Sequence, residues 1–191
     1  MDEAHLEDAG SGLVPTGDGW FVVNAHDAAW MTNDAFGSRC VFEASPRLLA
    51  ERPDLEPRRF EQVGVNLDVV MPGQASGLYH AEDDQEDFLV LHGECTVLIE
   101  GEERRLRAWD FVHCPPGTHH IFVGGGDGPC VIFMVGGRGE TKSLHYPRSD
   151  AALAHGAGVE EETTSARDAY APFPSWRPER PGAWRDLPWS S

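Results

Sequence analysis

Between residues 60 and 137 the sequence repeats one pattern, in which a short alternating apolar segment is followed by a turn signal. The clearest segment is 63–71, where Val, Leu and Met alternate mainly with Gly, Asn and Asp until Pro72-Gly73. Alternation with a period of two places one face of a strand against a core. Further strand candidates follow at 78–82, 87–92, 95–100, 103–109, 119–123 and 130–135. Short strands at such intervals predict an all-β fold, an antiparallel β-barrel or jelly roll.

The segments on either side of this region lack the alternation and predict irregular extensions with few short helices. The chain is therefore expected to divide into a flexible acidic N-terminal tail (1–15), an N-terminal extension that packs on the barrel (16–59), the barrel (60–137) and a C-terminal extension with a Pro/Trp-rich arm (138–191).

Local patterns add detail to the two extensions. A strand is expected at 20–23, one or two helical turns at 45–52, and a helix around 160–171. The final stretch, 172–191, contains five Pro and three Trp. Because three Trp side chains are costly to leave in water, we expect this arm to pack on the barrel or on a partner subunit.

Charge and cysteine usage exclude several classes of protein. The chain has 15 Lys and Arg against 32 Asp and Glu, a formal charge of −17, which disfavours binding to nucleic acid or to an anionic membrane surface. The acidic N-terminus does not resemble a secretory signal, and no apolar run approaches the length of a membrane span. Four widely spaced cysteines without a CxxC pair favour buried thiols in a reducing compartment, so we expect a cytoplasmic protein.

Potential metal ligands cluster in two short pieces of the alternating region. His80 and Glu82 are two residues apart, so on a strand their side chains share a face. Glu86 follows a three-residue turn, and a hairpin would bring its carboxylate back over that pair. The second piece is the turn 115–118 that leads into His119 and His120.

These two pieces resemble the two motifs of the cupin superfamily, G-x5-H-x-H-x(3,4)-E-x6-G and G-x5-P-x-G-x2-H-x3-N. The matching positions are His80, Glu86 and Gly93 in the first motif, and Pro115, Gly117 and His120 in the second. The spacing of the second motif selects His120 rather than His119 as the ligand. The resemblance extends over residues 60–137 and implies a β-barrel that holds a metal ion.

Four positions depart from the superfamily pattern. Glu82 stands in place of the second His, and Gly73 lies one residue too far upstream of His80. Trp109 and Gly124 replace a Gly and an Asn of the second motif. Of these four changes, only the one at Glu82 affects a position that the resemblance implies as a metal ligand.

We therefore predict one divalent metal ion, Fe²⁺, Mn²⁺, Ni²⁺ or Zn²⁺, bound by His80, Glu86 and His120 with Glu82 as a fourth ligand. Alternatively, Glu82 stays uncoordinated and acts as the catalytic base, which leaves the two-His, one-carboxylate composition of a facial triad. Strand parity predicts that Tyr79 and Ala81 face away from the ligands. By the same parity the apolar residues that should line the cavity are Phe88, Val90 and Phe122.

The resemblance supports more than one function. The first hypothesis is a metal-dependent, dioxygenase-like oxidoreductase that acts on a small organic molecule, neutral or cationic because the protein is so acidic. The second is a non-catalytic protein that senses or sequesters a small molecule or a metal, and the third is a metal-free assembly module. A homodimer is expected, because a small barrel leaves edge strands open and the Trp-rich arm needs a surface to cover.

Overall fold

The computed structural model describes residues 1–139 and 143–190 of the chain. Within these ranges the protein is built almost entirely from short β-strands. The strands are β1 (His5–Asp8), β2 (Leu13–Thr16), β3 (Met31–Asn33), β4 (Gly37–Cys40), β5 (Val63–Val70), β6 (Ala81–Glu82), β7 (Glu86–His92), β8 (Glu94–Ile99), β9 (Glu102–Arg107), β10 (Phe111–Cys114), β11 (His120–Gly124), β12 (Cys130–Gly137), β13 (Leu144–His145) and β14 (Arg177–Pro178). The helices are α1 (Asp150–Ala154), α2 (Ala166–Tyr170) and a 3₁₀ turn, Trp184–Asp186.

The strands form two principal antiparallel sheets. One has seven strands in the order β10-β7-β12-β5-β4-β3-β14, and the other has three in the order β11-β8-β9. Two pairs, β1-β2 and β13-β6, stand beside them. The prediction of an all-β, mostly antiparallel fold with few helices is confirmed. The pairing among the described residues does not close into a barrel, and the arrangement is consistent with a jelly roll.

The main core lies between the two sheets. Alternate residues of β5, β7 and β12 face those of β8 and β11, because strand side chains alternate between faces. This packing buries Val70, Phe88, Val97, Phe122 and Ile132, each at most 3% exposed. The core fixes the relative position of the sheets and therefore of the ligand residues on them.

Most strands predicted in the alternating region are present, with shifted ends. The segment 78–82 is an exception, since only Ala81–Glu82 is a strand and His80 makes an isolated bridge. The edge strand β10 (Phe111–Cys114) was not predicted, because the exposed residue Phe111 is apolar and the sequence therefore shows no polar–apolar alternation. The strand expected at 20–23 is absent, and only Trp20 makes a bridge, with Glu3.

The N-terminal residues differ from the flexible tail that the sequence predicted. Strands β1 and β2 form a hairpin with Leu6 opposite Pro15. Its inner face buries Ala9 and Val14 against Leu48 and Leu49. The burial of these apolar side chains compensates for the conformational entropy that this acidic segment loses when it becomes ordered. The segment 45–52 forms hydrogen-bonded turns, as expected. The Leu49 amide donates to the carbonyl of Ser45 at 3.1 Å, and the Ser45 hydroxyl accepts from the Leu48 amide at 3.4 Å.

The C-terminal arm packs on its own chain. Strand β14 pairs with β3, placing Arg177 opposite Thr32. Trp184 and Trp189 enclose the fully buried Trp30, with ring centroids 5.9 and 5.4 Å from it. The helix expected around 160–171 is limited to α2, which begins after the capping residue Ser165.

No described helix has both the length and the apolar character that a membrane span needs.

Replacement of Trp30 by Ala should lower the free energy of unfolding by about 3–5 kcal/mol, because it removes the centre of the contact between the arm and the sheet. Chemical denaturation followed by circular dichroism measures this. Trp20→Ala is the matched control, since Trp20 is 52% exposed, and should change stability by less than about 0.5 kcal/mol. Equal losses in both variants would contradict the packing described here.

Candidate metal centre

A backbone bridge brings together the two histidines that the motifs selected. His120 donates its N–H to the carbonyl of His80 at 2.9 Å, and His80 donates its own to the carbonyl of His120 at 3.3 Å. His120 begins β11, and His80 immediately precedes β6. Residues opposite each other in an antiparallel pair point to the same face, and the two imidazole centroids are 5.4 Å apart.

The two carboxylates face these imidazoles. Ligand atoms of His80, Glu82 and Glu86 all lie within 4.8 Å of one another. His120 Nε2 lies 3.3 Å from a Glu86 oxygen, and His80 Nε2 lies 3.6 Å from a Glu82 oxygen. Two ligands bound to one ion at about 2.1 Å are separated by roughly 3–4 Å. Three of the four predicted residues, His80, Glu82 and Glu86, therefore have the spacing of a metal site. His120 adjoins this group through Glu86 but is not part of it.

Backbone carbonyls orient both imidazoles. His80 Nδ1 lies 2.8 Å from the carbonyl of Leu78, and His120 Nδ1 lies 3.0 Å from that of Thr118. With the Nδ1 hydrogen donated to a carbonyl, Nε2 carries the lone pair. Metal-binding histidines usually have this second interaction, which fixes the tautomer and the ring orientation.

Burial affects the protonation of the two histidines differently. It acts to lower the pKa of His80, but the contact with Glu82 and the charge of Glu86 outweigh it, so the pKa lies above its ordinary value. Burial and the neighbouring His80 lower the pKa of His120 to about 4. His120 is thus neutral near pH 7, the form in which imidazole binds a metal, whereas the neighbouring carboxylates favour the protonated form of His80.

The cluster forms part of the wall of a cavity of about 260 Å³. Apolar side chains cover one part of the wall, and polar side chains from several segments cover the rest. The lining residues besides the four ligands are Arg39, Gly64, Asn66, Ser76, Gly77, Phe88, Ile121, Phe122, Met134, Gly136, Gly137, Arg138, Tyr146 and Tyr170. The site is therefore open to a small molecule.

Comparison with known proteins agrees with this arrangement. Residues 66–136 match the family model described as the cupin domain. This segment of the chain is thus similar to the cupin domain. No curated protein matches the sequence.

Several solved structures are similar to the chain. One is a sugar phosphate isomerase from a cupin superfamily, from Silicibacter pomeroyi, with 28% identity and a TM-score of 0.45, covering 59% of this chain and 66% of that one. Another is a Cupin 2 conserved barrel domain protein from Salinispora arenicola, with 22% identity and a TM-score of 0.41, covering 55% and 79%. A third is a DMSP lyase from Ruegeria pomeroyi, with 27% identity and a TM-score of 0.37, covering 44% and 42%. The match to the isomerase spans just under two thirds of that protein.

Six residues of the cavity wall lie outside the matched residues 66–136 and were not identified as site residues from the sequence: Arg39, Gly64, Gly137, Arg138, Tyr146 and Tyr170. Tyr146 stacks on the His80 ring, with centroids 5.5 Å apart and an interplanar angle of 18°. Tyr170 comes from α2, and Arg39 comes from β4. No motif marks them, because their position depends on how the two extensions fold back over the sheets.

The tyrosines of the wall remain protonated at neutral pH. Burial raises the pKa of Tyr146, and the nearby Tyr170, Glu82 and Glu86 add to the effect. Burial likewise raises the pKa of Tyr170. Both hydroxyls are therefore available as hydrogen-bond donors.

The prediction from strand parity of which residues line the cavity was right in part. Phe88 and Phe122 line it, as predicted, but Val90 lies in the core between the sheets. Tyr79 and Ala81, which were expected to face outward, are each 5% exposed. They do point away from the ligands, but the C-terminal extension covers them, with β13 pairing to β6 and the Tyr79 amide donating to the carbonyl of Ala157 at 2.7 Å.

Cys114 lies close to the second motif but is not a reactive thiol. It is 1% exposed, and burial raises its pKa to about 12. A thiol needs a lowered pKa and access to act as a nucleophile. Its position in the core between the sheets indicates a packing role.

Purified wild-type protein should contain one divalent metal ion per chain, and His80→Ala or His120→Ala should reduce that content severely, since each removes a ligand nitrogen. Elemental analysis without chelator measures this. His113→Ala is a matched control, because His113 is half exposed and pairs with Asp87 instead; it should keep the metal. A wild-type content near zero that Fe²⁺, Mn²⁺, Ni²⁺ and Zn²⁺ all fail to restore would refute the site.

Proposed function

We propose that the protein is a metal-dependent enzyme that acts on a small organic molecule bound in the cavity beside the ligand cluster. The observation that carries this proposal is the position of the cluster. His80, Glu82, Glu86 and His120 lie in the wall of a cavity instead of being enclosed by protein on all sides. Catalytic metal sites keep such an accessible position, whereas structural sites are closed.

The reaction class that we propose is a dioxygenase-like oxidation. Two histidines and one carboxylate, here His80, His120 and Glu86, have the ligand composition of non-haem Fe(II) oxygenases. A divalent ion at this position would supply Lewis acidity and, if it is iron, a site for oxygen chemistry. The protein contributes the fixed orientation of the imidazoles and a partly apolar wall formed by Phe88, Phe122 and Met134.

In this proposal Glu82 is the general base. Its carboxylate belongs to the cluster and lines the same cavity, so it can take a proton from a substrate bound there. Its side chain is 16% exposed, which limits competition from bulk water. The alternative role of Glu82 is that of a fourth metal ligand, in the same position. Substitution of Glu82 distinguishes the two roles.

Charge supports a neutral or cationic substrate. The two arginines in the cavity wall are each held by a carboxylate: Arg39 donates two hydrogen bonds to Asp68 at 2.7 and 2.5 Å, and Arg138 donates two to Glu43 at 3.0 and 2.9 Å. Their charges are therefore largely compensated. The formal charge of −17 adds an unfavourable field for anions.

Glu82→Gln should keep the metal and reduce turnover by about 10²- to 10⁴-fold, the usual contribution of a general base. Metal content and turnover are measured on the same preparation. Glu82→His, which restores the usual second histidine of the cupin motif, should also keep the metal and lose turnover. Loss of metal from Glu82→Gln would show that Glu82 is a ligand and that the base lies elsewhere.

Aerobic incubation of the iron-loaded protein with a metabolite panel tests the activity itself. The expected result is oxygen consumption with at least one neutral or cationic compound, abolished in His80→Ala. If a fully metallated protein consumes no oxygen and converts no compound, yet binds one, the second hypothesis, a small-molecule or metal-binding protein, replaces the enzyme.

We also propose a homodimer. The Trp-rich arm packs on its own chain and no longer supports this idea, but β10 is an edge strand. Beside it, Trp109 and Phe111 are 74% and 63% exposed. Light scattering at micromolar concentration should report a dimer, and Phe111→Lys should shift it towards monomer. A monomeric wild-type protein would contradict the proposal.

A further inference from the structure

The hydroxyl of Tyr146 has no hydrogen-bond partner among the residues that the structure describes. Tyr146 is 3% exposed and lines the cavity. Its ring is fixed between His80 and Tyr170, with centroids 5.5 and 6.0 Å away. The hydroxyl is not among the fully buried polar atoms without a partner, so it is accessible from the cavity. The rigid placement of this hydroxyl points to a ligand in the cavity as its partner.

Tyr170 presents a second hydroxyl on the same wall. Its oxygen accepts a hydrogen bond from the Leu78 amide at 3.2 Å, so its own hydrogen remains to be donated. No acceptor for it occurs among residues 1–139 and 143–190. The hydrogen bond from Leu78 fixes the position of the Tyr170 hydroxyl. The hydrogen of that hydroxyl can then be donated to a molecule in the cavity.

Two further uncharged groups line the cavity. Ser76 is 3% exposed, and its backbone amide and carbonyl are bonded to Phe122 and Arg39. Neither its hydroxyl nor the side-chain amide of Asn66 has a hydrogen-bond partner in the described ranges. Together with the two tyrosines, these side chains offer several uncharged donors and acceptors, and carboxylates compensate the charges of Arg39 and Arg138. The remaining charged groups of the wall belong to the ligand cluster.

The size of the cavity limits the ligand. A volume of about 260 Å³ lies below the roughly 300–1,000 Å³ of sites for drug-sized molecules. An uncharged molecule of a few carbon atoms that carries several hydroxyl or carbonyl oxygens satisfies both the volume and the set of hydrogen-bonding groups.

We infer that the wall formed by Tyr146, Tyr170, Ser76 and Asn66 binds a small uncharged polyhydroxylated ligand next to the metal cluster, and that Tyr146 is a specificity-determining residue. This inference rests on the proposed function, since the ligand occupies the same cavity. It adds the class of substrate, and it assigns recognition to residues of the C-terminal extension beyond the matched cupin domain.

The test uses the full-length, metal-loaded protein and three matched probes: erythritol, its carboxylate counterpart erythronate, and erythritol phosphate. Dissociation constants come from saturation-transfer NMR titrations. Erythritol should bind more tightly than either anion. Tyr146→Phe should weaken erythritol binding by about threefold to tenfold, the effect of one neutral hydrogen bond. It should not lower the unfolding temperature, since the hydroxyl has no partner among the described residues.

Tyr79→Phe is the matched control. The Tyr79 hydroxyl accepts a hydrogen bond from the Gly101 amide at 3.1 Å, outside the cavity. This variant should lower the unfolding temperature and leave the dissociation constant unchanged, the reverse of Tyr146→Phe.

Tighter binding of either anion, absence of erythritol binding, or an unchanged constant in Tyr146→Phe would each overturn the inference. The metal content of the same samples distinguishes a failure of this inference from a failure of the proposed function. A full complement of metal without erythritol binding overturns only this inference, whereas a metal content near zero overturns the proposed function and this inference with it.

Discussion

The paired backbone of His80 and His120 is the contact on which the candidate site depends. Two main-chain hydrogen bonds join residues 40 positions apart, one before β6 and one at the start of β11. The pairing directs both imidazoles to one face, where Glu86 and Glu82 meet them. Burying two imidazoles and two carboxylates in one place is costly without a cation to compensate the carboxylates. Metal binding would remove that cost.

The extensions complete the cavity that the cupin domain begins. The matched residues 66–136 contain all four ligand candidates, but the wall facing them includes Arg39, Tyr146 and Tyr170. Each of these three is fixed by a contact to another segment: Arg39 to Asp68, Tyr146 to His80 and Tyr170 to Leu78. The chemistry that the ligands allow and the molecule that reaches them are thus set by different parts of the chain.

Local patterns sufficed for much of the fold. Alternation predicted β5 and the hairpins around it, since a strand with one buried face must alternate. It missed β10, where the exposed Phe111 is apolar, and it could not foresee that the acidic residues 5–16 form a hairpin. That hairpin depends on apolar contacts with Leu48 and Leu49, and contacts between distant segments leave no periodic signal.

The sequence by itself determined the ligand candidates, because His80, Glu82, Glu86 and His120 lie in two short motifs whose spacing fixes their relative positions on strands and turns. Only the tertiary structure decided what surrounds them. Tyr146 lies beside His80 because β13 pairs with β6, and Arg39 is compensated because Asp68 lies opposite it on β5. Both arrangements arise from pairing between segments far apart in sequence, which depends on the whole packed chain.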